Sequence, residues 1–150
     1  MIFMMRAFLV LILVSASFKS MSQTKVFINP RPVGYSDAVV VGGGKSIYLS
    51  GQVPLNEKNE VVGKGNLKAQ TIQVFENIKK LLNEAGATFA NVVKVNTYVV
   101  NCKPVDVAIV REVRKSYLSE KQPPASTLVG VTSLVDPDFL IEIEVIAVVE

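Results

Sequence analysis

The segment 139–149 places the strongest constraint on how this chain can fold, because it is apolar almost throughout yet contains Glu142 and Glu144. Side chains alternate between the two faces of a strand, so both carboxylates share one face. The opposite face is purely apolar and consists of Ile141, Ile143, Val145 and Ala147. A charge in an apolar strand costs free energy unless it is paired, hydrogen-bonded or protonated. The pattern therefore predicts either a ligand site or an edge strand with one solvated face.

Composition indicates one domain with an ample core and no nucleic-acid partner. The chain has 150 residues, of which 49% are hydrophobic, and a formal net charge of +3. Without the two basic residues of segment 1–22, 14 basic residues face 13 acidic ones. A nucleic-acid-binding domain usually has a clustered basic face, and this balance provides none.

Missing residue types limit the possible chemistry. The chain has no histidine, which excludes Ser-His-Asp and Cys-His catalysis in their usual forms and zinc sites that contain histidine. Its single cysteine, Cys102, has no partner for a disulfide within the chain. We expect Cys102 to be a small buried hydrophobe, with a reactive thiol as the alternative. A general acid or base must come from Asp, Glu, Tyr, Lys or bound water. We expect no metal and no cofactor.

Residues 1–22 have the three regions of a secretory signal peptide. Arg6 supplies the positive region, segment 7–17 is small or apolar, and Ser20 and Ser22 offer small residues for cleavage. A bilayer span needs about 20 apolar residues, so we expect no stable membrane insertion of the mature chain, 23–150. The prediction is export to the periplasm or secretion. If Met21 is the true start, the protein is instead cytoplasmic.

Hydrophobic periodicity predicts six strands and two helices in the order β-β-β-α-β-α-β-β. Glycines 42–44 are expected to join the second and third strands as a hairpin. Asn66 is the expected N-cap of the first helix and Gly86 its end. The predicted strands are 25–29, 37–41, 46–50, 92–100, 126–131 and 139–149, and the predicted helices are 66–85 and 104–118.

The two helices are expected to pack on one face of the sheet, which gives an α+β domain. In the second helix, which begins at Pro104, the apolar positions at helical spacing are Val105, Ile109, Val113 and Tyr117. The other face of the sheet then needs cover. Self-association is the expected source of that cover.

Short motifs in this order resemble the RidA family, also called YjgF or enamine/imine deaminases. They are GYSDAV at 34–39, IYLSGQVP at 47–54, QT at 70–71 followed by Asn77, Gly86, VK at 93–94, PPASTL at 123–128 and IEIEVIA at 141–147. The resemblance covers residues 27–149. It implies a chorismate-mutase-like fold and a homotrimer whose sheets face an inner barrel. It also implies three clefts between subunits for a small carboxylate or carbonyl-type ligand.

The resemblance also implies roles for individual residues. Active members of the family hydrolyse a 2-imino acid or its enamine to a 2-keto acid and ammonia. By this likeness Glu142 positions the attacking water and Tyr35 lines the pocket. The expected substrate-binding positions are the turn of Ser50 and Gly51 and the segment of Ser126 and Thr127, with the backbone amide at 127. Glu144 is expected to make a structural hydrogen bond or ion pair.

One position departs from the family pattern. An arginine in a Pro-x-Arg-Ser-type motif grips the substrate carboxylate in the family, whereas this chain has Ala125 there. Loss of such a partner costs several kcal/mol, or roughly thousands-fold in affinity. The chain thus resembles an arginine-lacking branch. We hypothesise that Arg111 supplies the missing guanidinium, against the alternative of a solvated helix residue. Arg31 is a weaker candidate.

Three functions remain open from the sequence. The first is hydrolytic deamination of imine or enamine intermediates. The second is a non-catalytic trimeric binding protein for a small metabolite, which the loss of the arginine and the predicted export favour. Ribonuclease activity is the least favoured, because the net charge is small and histidine is absent.

Overall fold

The computed structural model describes residues 23–150. This part of the chain contains six strands and two α-helices. Their order agrees with the predicted one, and the predicted leader lies outside the described residues. The elements are β1 (Thr24–Arg31), β2 (Tyr35–Gly42), β3 (Lys45–Gln52), α1 (Leu67–Glu84), a 3-10 turn (Phe89–Asn91), β4 (Val92–Val100), α2 (Pro104–Arg114), β5 (Ala125–Val131) and β6 (Ile141–Val149).

The strands form one mixed sheet in the order β1-β2-β5-β4-β6-β3. Strand β6 lies between β4 and β3 and is antiparallel to both. Strand β5 is parallel to β4 over its whole length and also parallel to β2. The C-terminal strand is therefore interior to the sheet, which agrees with its apolar character.

The predicted hairpin between β2 and β3 is wrong. Gly43 and Gly44 have positive φ angles of 75° and 94° and do bend the chain. However, β2 pairs with β1 and β5, whereas β3 pairs with β6 at the opposite edge. Glycine permits the sharp bend but does not select a partner strand. The partner of β3 is instead set by the long-range register with β6.

Strand β2 joins the rest of the sheet through a single register pair, Ser36 with Ala125. Two hydrogen bonds reinforce this junction. The Ser36 backbone N–H donates to the Pro124 carbonyl at 3.1 Å. The buried Ser36 hydroxyl donates to the Pro123 carbonyl at 2.6 Å. The junction therefore holds Tyr35 beside the start of β5.

The hydrophobic core lies between the sheet and both helices, as predicted. The four alternate residues of β6 that face the helices are at most 1% exposed. Their partners on the helices are Val74, Phe75, Ile78 and Leu82 of α1 and Val110 and Val113 of α2. Because one face of β6 is committed to this core, Glu142 and Glu144 lie on the helix-free face of the sheet.

The first helix begins and ends as the sequence indicates. The Asn66 side chain caps it by accepting a hydrogen bond from the Ala69 backbone N–H at 3.0 Å. Gly86, at a φ of 72°, follows its C-cap residue. Neither helix of residues 23–150 is long and apolar enough to cross a membrane.

The second helix departs from the prediction in both its length and its buried face. It ends at Arg114 rather than near residue 118, and the chain continues in turns. Val105 is 60% exposed, whereas Val110, Val113 and Arg114 are buried. The helix is thus rotated so that a basic residue, Arg114, packs toward the sheet.

We expect Ile78→Ala to lower the free energy of unfolding by about 2–5 kcal/mol, because the side chain is fully buried and the truncation leaves a cavity. Urea unfolding at fixed protein concentration measures this. Ile72→Ala is the matched control on the same helix. Its side chain is 41% exposed, and we expect a loss below about 1 kcal/mol. Equal losses for the two variants would contradict the packing described here.

Candidate functional site

The carboxylate of Glu142 lies against the backbone of Gly51. The register between β3 and β6 shifts between Leu49 and Gln52, so residues 50 and 51 form an irregularity opposite β6. A Cβ added at Gly51 would overlap the Glu142 carboxylate and come within 2.7 Å of its Cδ. The absence of a side chain at position 51 thus provides the space that the carboxylate occupies.

The two carboxylates of β6 differ in their partners. Glu144 accepts hydrogen bonds from the Asn96 amide at 2.6 Å and from the Tyr98 hydroxyl at 3.2 Å. Desolvation, followed by the negative charge of Glu144, raises the pKa of Tyr98, which keeps that hydroxyl a donor. Glu144 therefore makes the expected structural hydrogen bonds. Within residues 23–150, by contrast, no hydrogen bond or ion pair reaches the Glu142 carboxylate.

A second group of predicted site residues lies at the junction of β2 and β5. Tyr35 is half-buried and directly precedes the junction residue Ser36. Ser126 is also half-buried, whereas Thr127 is exposed and its hydroxyl accepts a hydrogen bond from Lys94 Nζ at 2.7 Å. The structure thus brings Tyr35, Ser126 and Thr127 into one region, beside Ala125.

The arginine candidates from the sequence are placed unequally. Arg31 donates through Nε and Nη2 to the two oxygens of Asp37, at 3.0 and 2.6 Å, so its guanidinium is already engaged. This hydrogen-bonded arginine lowers the pKa of the Asp37 carboxyl. Arg111 is exposed on α2, and its role at the ligand stays a prediction.

Sequence reasoning missed a third arginine, Arg114, which is only 8% exposed. Its Nη1 donates to the Ser126 hydroxyl oxygen at 3.1 Å. Burial, with a contribution from the positive charge of Arg111, lowers the pKa of Arg114 to about 10. Spacing could have revealed it, because Arg114 lies four residues after the buried Val110, on the same stripe of the helix.

Within one chain the two groups lie far apart. Glu142 is in register with Tyr98, which is in register with Val129 of β5. Ala125 lies four residues before Val129, so the groups are separated by about 13 Å along the strands and about 10 Å across them. A single small ligand cannot contact both groups in one chain.

A cavity of about 250 Å³ opens beside the structural carboxylate. Ser50, Lys94, Asn96 and Glu144 contribute polar groups to its lining. In the described part of the chain, no three carboxylate or thiol side chains are placed to hold a metal ion.

Cys102 is half-buried rather than fully buried. Desolvation, with a smaller contribution from Asp106, raises the pKa of its thiol. A thiol with a raised pKa has little thiolate at neutral pH, so Cys102 is poorly suited to nucleophilic attack.

A mixed sheet with two helices on one face and carboxylates on the other defines a small α+β domain of the chorismate-mutase-like type. Comparison with known sequences gives the family. The profile described as Endoribonuclease L-PSP matches residues 28–149. The chain therefore belongs to this family, which is the RidA/YjgF family, as predicted.

Two relatives with known names illustrate the range of the family. A RutC family protein from Pyrococcus abyssi is 42% identical over 119 residues, which are 79% of this chain and 89% of the relative. A 2-iminobutanoate/2-iminopropanoate deaminase from Dermatophagoides farinae is 36% identical over 122 residues, 81% of this chain and 91% of the relative.

Solved structures support the fold. The Rid-family protein YyfB from Yersinia pestis, described as of unknown function, is 36% identical with a TM-score of 0.77. The match covers 86% of this chain and 100% of the YyfB chain. RidA from an Antarctic Psychrobacter species is 37% identical with a TM-score of 0.63, covering 77% of this chain and 88% of that one.

We expect Gly51→Ala to displace the Glu142 carboxylate with little effect on the fold. The displaced group is the mobile end of a side chain, so the loss of unfolding free energy should stay near 1 kcal/mol. The difference in the position of Glu142 between crystal structures of wild type and variant measures the effect. An unchanged carboxylate position would contradict the contact. Gly65→Ala is a control for the position of Glu142 only: a Cβ there meets no atom within 4 Å, but the φ of 69° makes alanine destabilising at that position.

Proposed function

We propose that this protein hydrolyses 2-imino acids and their enamine tautomers to 2-oxo acids and ammonia, with Glu142 as the general base. The observation that carries this proposal is the Glu142 carboxylate, which has no hydrogen-bond or ion-pair partner within residues 23–150 and occupies the space left by the missing side chain of Gly51. A carboxylate without a protein partner is available to a water molecule. Membership of a family that contains an imine deaminase supports the same reaction.

The proposed chemistry needs one water molecule and no cofactor. Glu142 accepts a proton from water while the water oxygen bonds to the imine carbon, and it passes that proton to the imine nitrogen. The resulting tetrahedral amino alcohol then loses its C–N bond as its hydroxyl becomes a carbonyl. Glu142 carries the hydroxyl proton to the departing nitrogen, so ammonia leaves and the carboxylate is regenerated.

We further propose that two copies of the chain complete each site in a homotrimer. The separation of Glu142 from the group around Tyr35 supports this, because neighbouring copies can place the two groups across one cleft. Exposed apolar residues give such copies surface to bury. They include Val26 and Ile28 of β1, Val40 of β2 and Tyr48 of β3.

Replacement of the base should remove most of the catalysis. A general base contributes roughly 10²–10⁴-fold, so we expect Glu142→Gln to lower kcat by that factor. An amino-acid oxidase generates the imino acid, and ammonia release by residues 23–150 is followed. Glu144→Gln is the matched control on the same strand face, since its carboxylate already has two donors. A kcat for Glu142→Gln within about threefold of wild type would exclude Glu142 as the base.

Mixed oligomers test the shared site. We expect the purified domain to sediment as a trimer. Glu142→Gln and Tyr35→Ala should each have much lower activity than wild type, whereas a co-refolded equal mixture should recover about a quarter of the sites, each formed by two intact contributions. Ammonia release of the mixture measures this. If the mixture is no more active than its components, or if the chain is monomeric, the shared site is excluded.

A second function, non-catalytic binding of a small metabolite, is favoured by Ala125 at the position of the family arginine, because turnover of a 2-imino acid relies on that arginine in the family. The same assay separates the two functions. Wild-type protein that does not accelerate ammonia release, but is thermally stabilised by 2-oxobutanoate, is a binding protein.

A further inference from the structure

Arg114 is the one buried charged side chain among residues 23–150. Within residues 23–150, two buried side-chain polar atoms have no hydrogen-bond partner, Gln23 Nε2 and Arg114 Nη2, and of these only Arg114 carries a charge. Gln70, by contrast, donates to the Asp138 carbonyl at 2.7 Å and accepts from the Leu140 backbone N–H at 2.8 Å. Arg114 makes a single hydrogen bond from Nη1, and its buried Nη2 has no partner in the described residues. The guanidinium is thus a buried cation whose Nη2 donors have no acceptor in the described residues.

Such a group is costly unless a counter-charge is present. A buried donor without an acceptor costs free energy, and an uncompensated buried charge costs more. Arg114 lies in the last turn of α2, where the helix dipole favours a cation. The dipole does not supply acceptors for the guanidinium N–H groups, however, so an oxygen-bearing anion is the partner that the site lacks.

No carboxylate of residues 23–150 makes a hydrogen bond or ion pair with Arg114, and the acidic residues that flank it in sequence have other partners. Glu112 binds Lys68 at 2.7 Å, and Glu120 lies 3.5 Å from Lys115. Asp106 accepts from the Lys103 backbone N–H at 2.8 Å. The remaining charge near Arg114 is the cation Arg111, which adds to the positive potential. The counter-charge must therefore come from outside the described chain.

Ser126 shows where such an anion can enter. Its hydroxyl oxygen already accepts a hydrogen bond from Arg114, so its own proton is available to a further acceptor. Ser126 is half-buried and therefore reachable, whereas Arg114 Nη2 is covered until the guanidinium rotates. Ser126 directly follows Ala125, the position at which the resemblance expects a carboxylate to be bound, and its side chain lies on the opposite, helix-facing side of β5.

We propose that Arg114 and Ser126 together bind the carboxylate of the ligand, so that a guanidinium from α2 replaces the one missing from β5. The inference rests on the proposed function, because it takes the ligand to be the 2-imino or 2-oxo acid of that reaction. The Ser126 hydroxyl makes the first contact, and Arg114 supplies the charge and a second hydrogen bond. Arg114 is thereby a specificity-determining residue for acids over their neutral amides.

Calorimetric titration of the wild-type domain with 2-oxobutanoate tests this proposal, with 2-oxobutanamide as the uncharged probe. We expect Arg114→Met to weaken 2-oxobutanoate binding about 10- to 150-fold and Ser126→Ala about 3- to 10-fold. Arg114→Lys, which keeps the charge without the planar fork, should recover part of the affinity. Affinity for the amide should change by less than about twofold in each variant.

Lys115→Met is the matched control, because it removes one positive charge from the next residue, which is exposed. It should bind 2-oxobutanoate as tightly as wild type. Arg111→Met separates the two arginines of α2. If it weakens binding as much as Arg114→Met does, or if Arg114→Met binds like wild type, the assignment to Arg114 is wrong. Wild-type protein that does not distinguish the acid from the amide also overturns it.

A measurement on the wild-type side chain avoids dependence on variant folding. The ¹⁵N resonances of the Arg114 guanidinium, assigned by their loss in Arg114→Lys, should shift on addition of 2-oxobutanoate and not on addition of the amide. Unshifted resonances at saturating ligand would overturn the proposal.

Failure of the two proposals can be told apart. Carboxylate binding that depends on Arg114, without any acceleration of ammonia release, leaves the anion site intact and excludes hydrolysis. Turnover that depends on Glu142, with KM unchanged in Arg114→Met, supports hydrolysis and excludes the role of Arg114.

Discussion

The burial of one face of β6 is the constraint on which the rest of this structure depends. Four residues of that face are at most 1% exposed and pack against both helices. A strand cannot shift by one residue without exchanging its two faces, so this apolar contact sets the register of the whole strand. The register in turn places Glu142 beside Gly51 and Glu144 beside Asn96. The site geometry is thus a consequence of core packing.

Much of the architecture could be predicted because its signals are local. The cap at Asn66, the glycine at Gly86 and the alternation of β6 each act within a few residues. The partner of β2 could not be predicted in this way. Its junction joins Ser36 to Ala125, 89 positions later in the sequence, and no short motif encodes that distance. Glycines 42–44 allow a hairpin and a sharp bend equally, so the local pattern did not show whether β2 and β3 pair.

The predicted site residues show the same division. Glu142, Ser50 and Gly51 lie together because adjacent strands β3 and β6 position them. The β2–β5 junction brings together the second group of predicted site residues, which consists of Tyr35, Ser126 and Thr127. Arg114 was missed because the apolar stripe of α2 was assigned through Val105, which the structure leaves exposed. A basic residue on a core-facing stripe is an exception to hydrophobic patterning, and such exceptions mark functional or strained positions.

The hydrogen bonds of Glu144 distinguish it from Glu142, which lies on the same face of the same strand. Asn96 and Tyr98 make one acidic side chain part of the scaffold, since both donate to the same oxygen, Oε1 of Glu144. The acid two positions earlier keeps its lone pairs. Within the described residues, the strand therefore carries one hydrogen-bonded and one unpartnered carboxylate on the same face. The difference between the two glutamates arises from the residues that each one contacts.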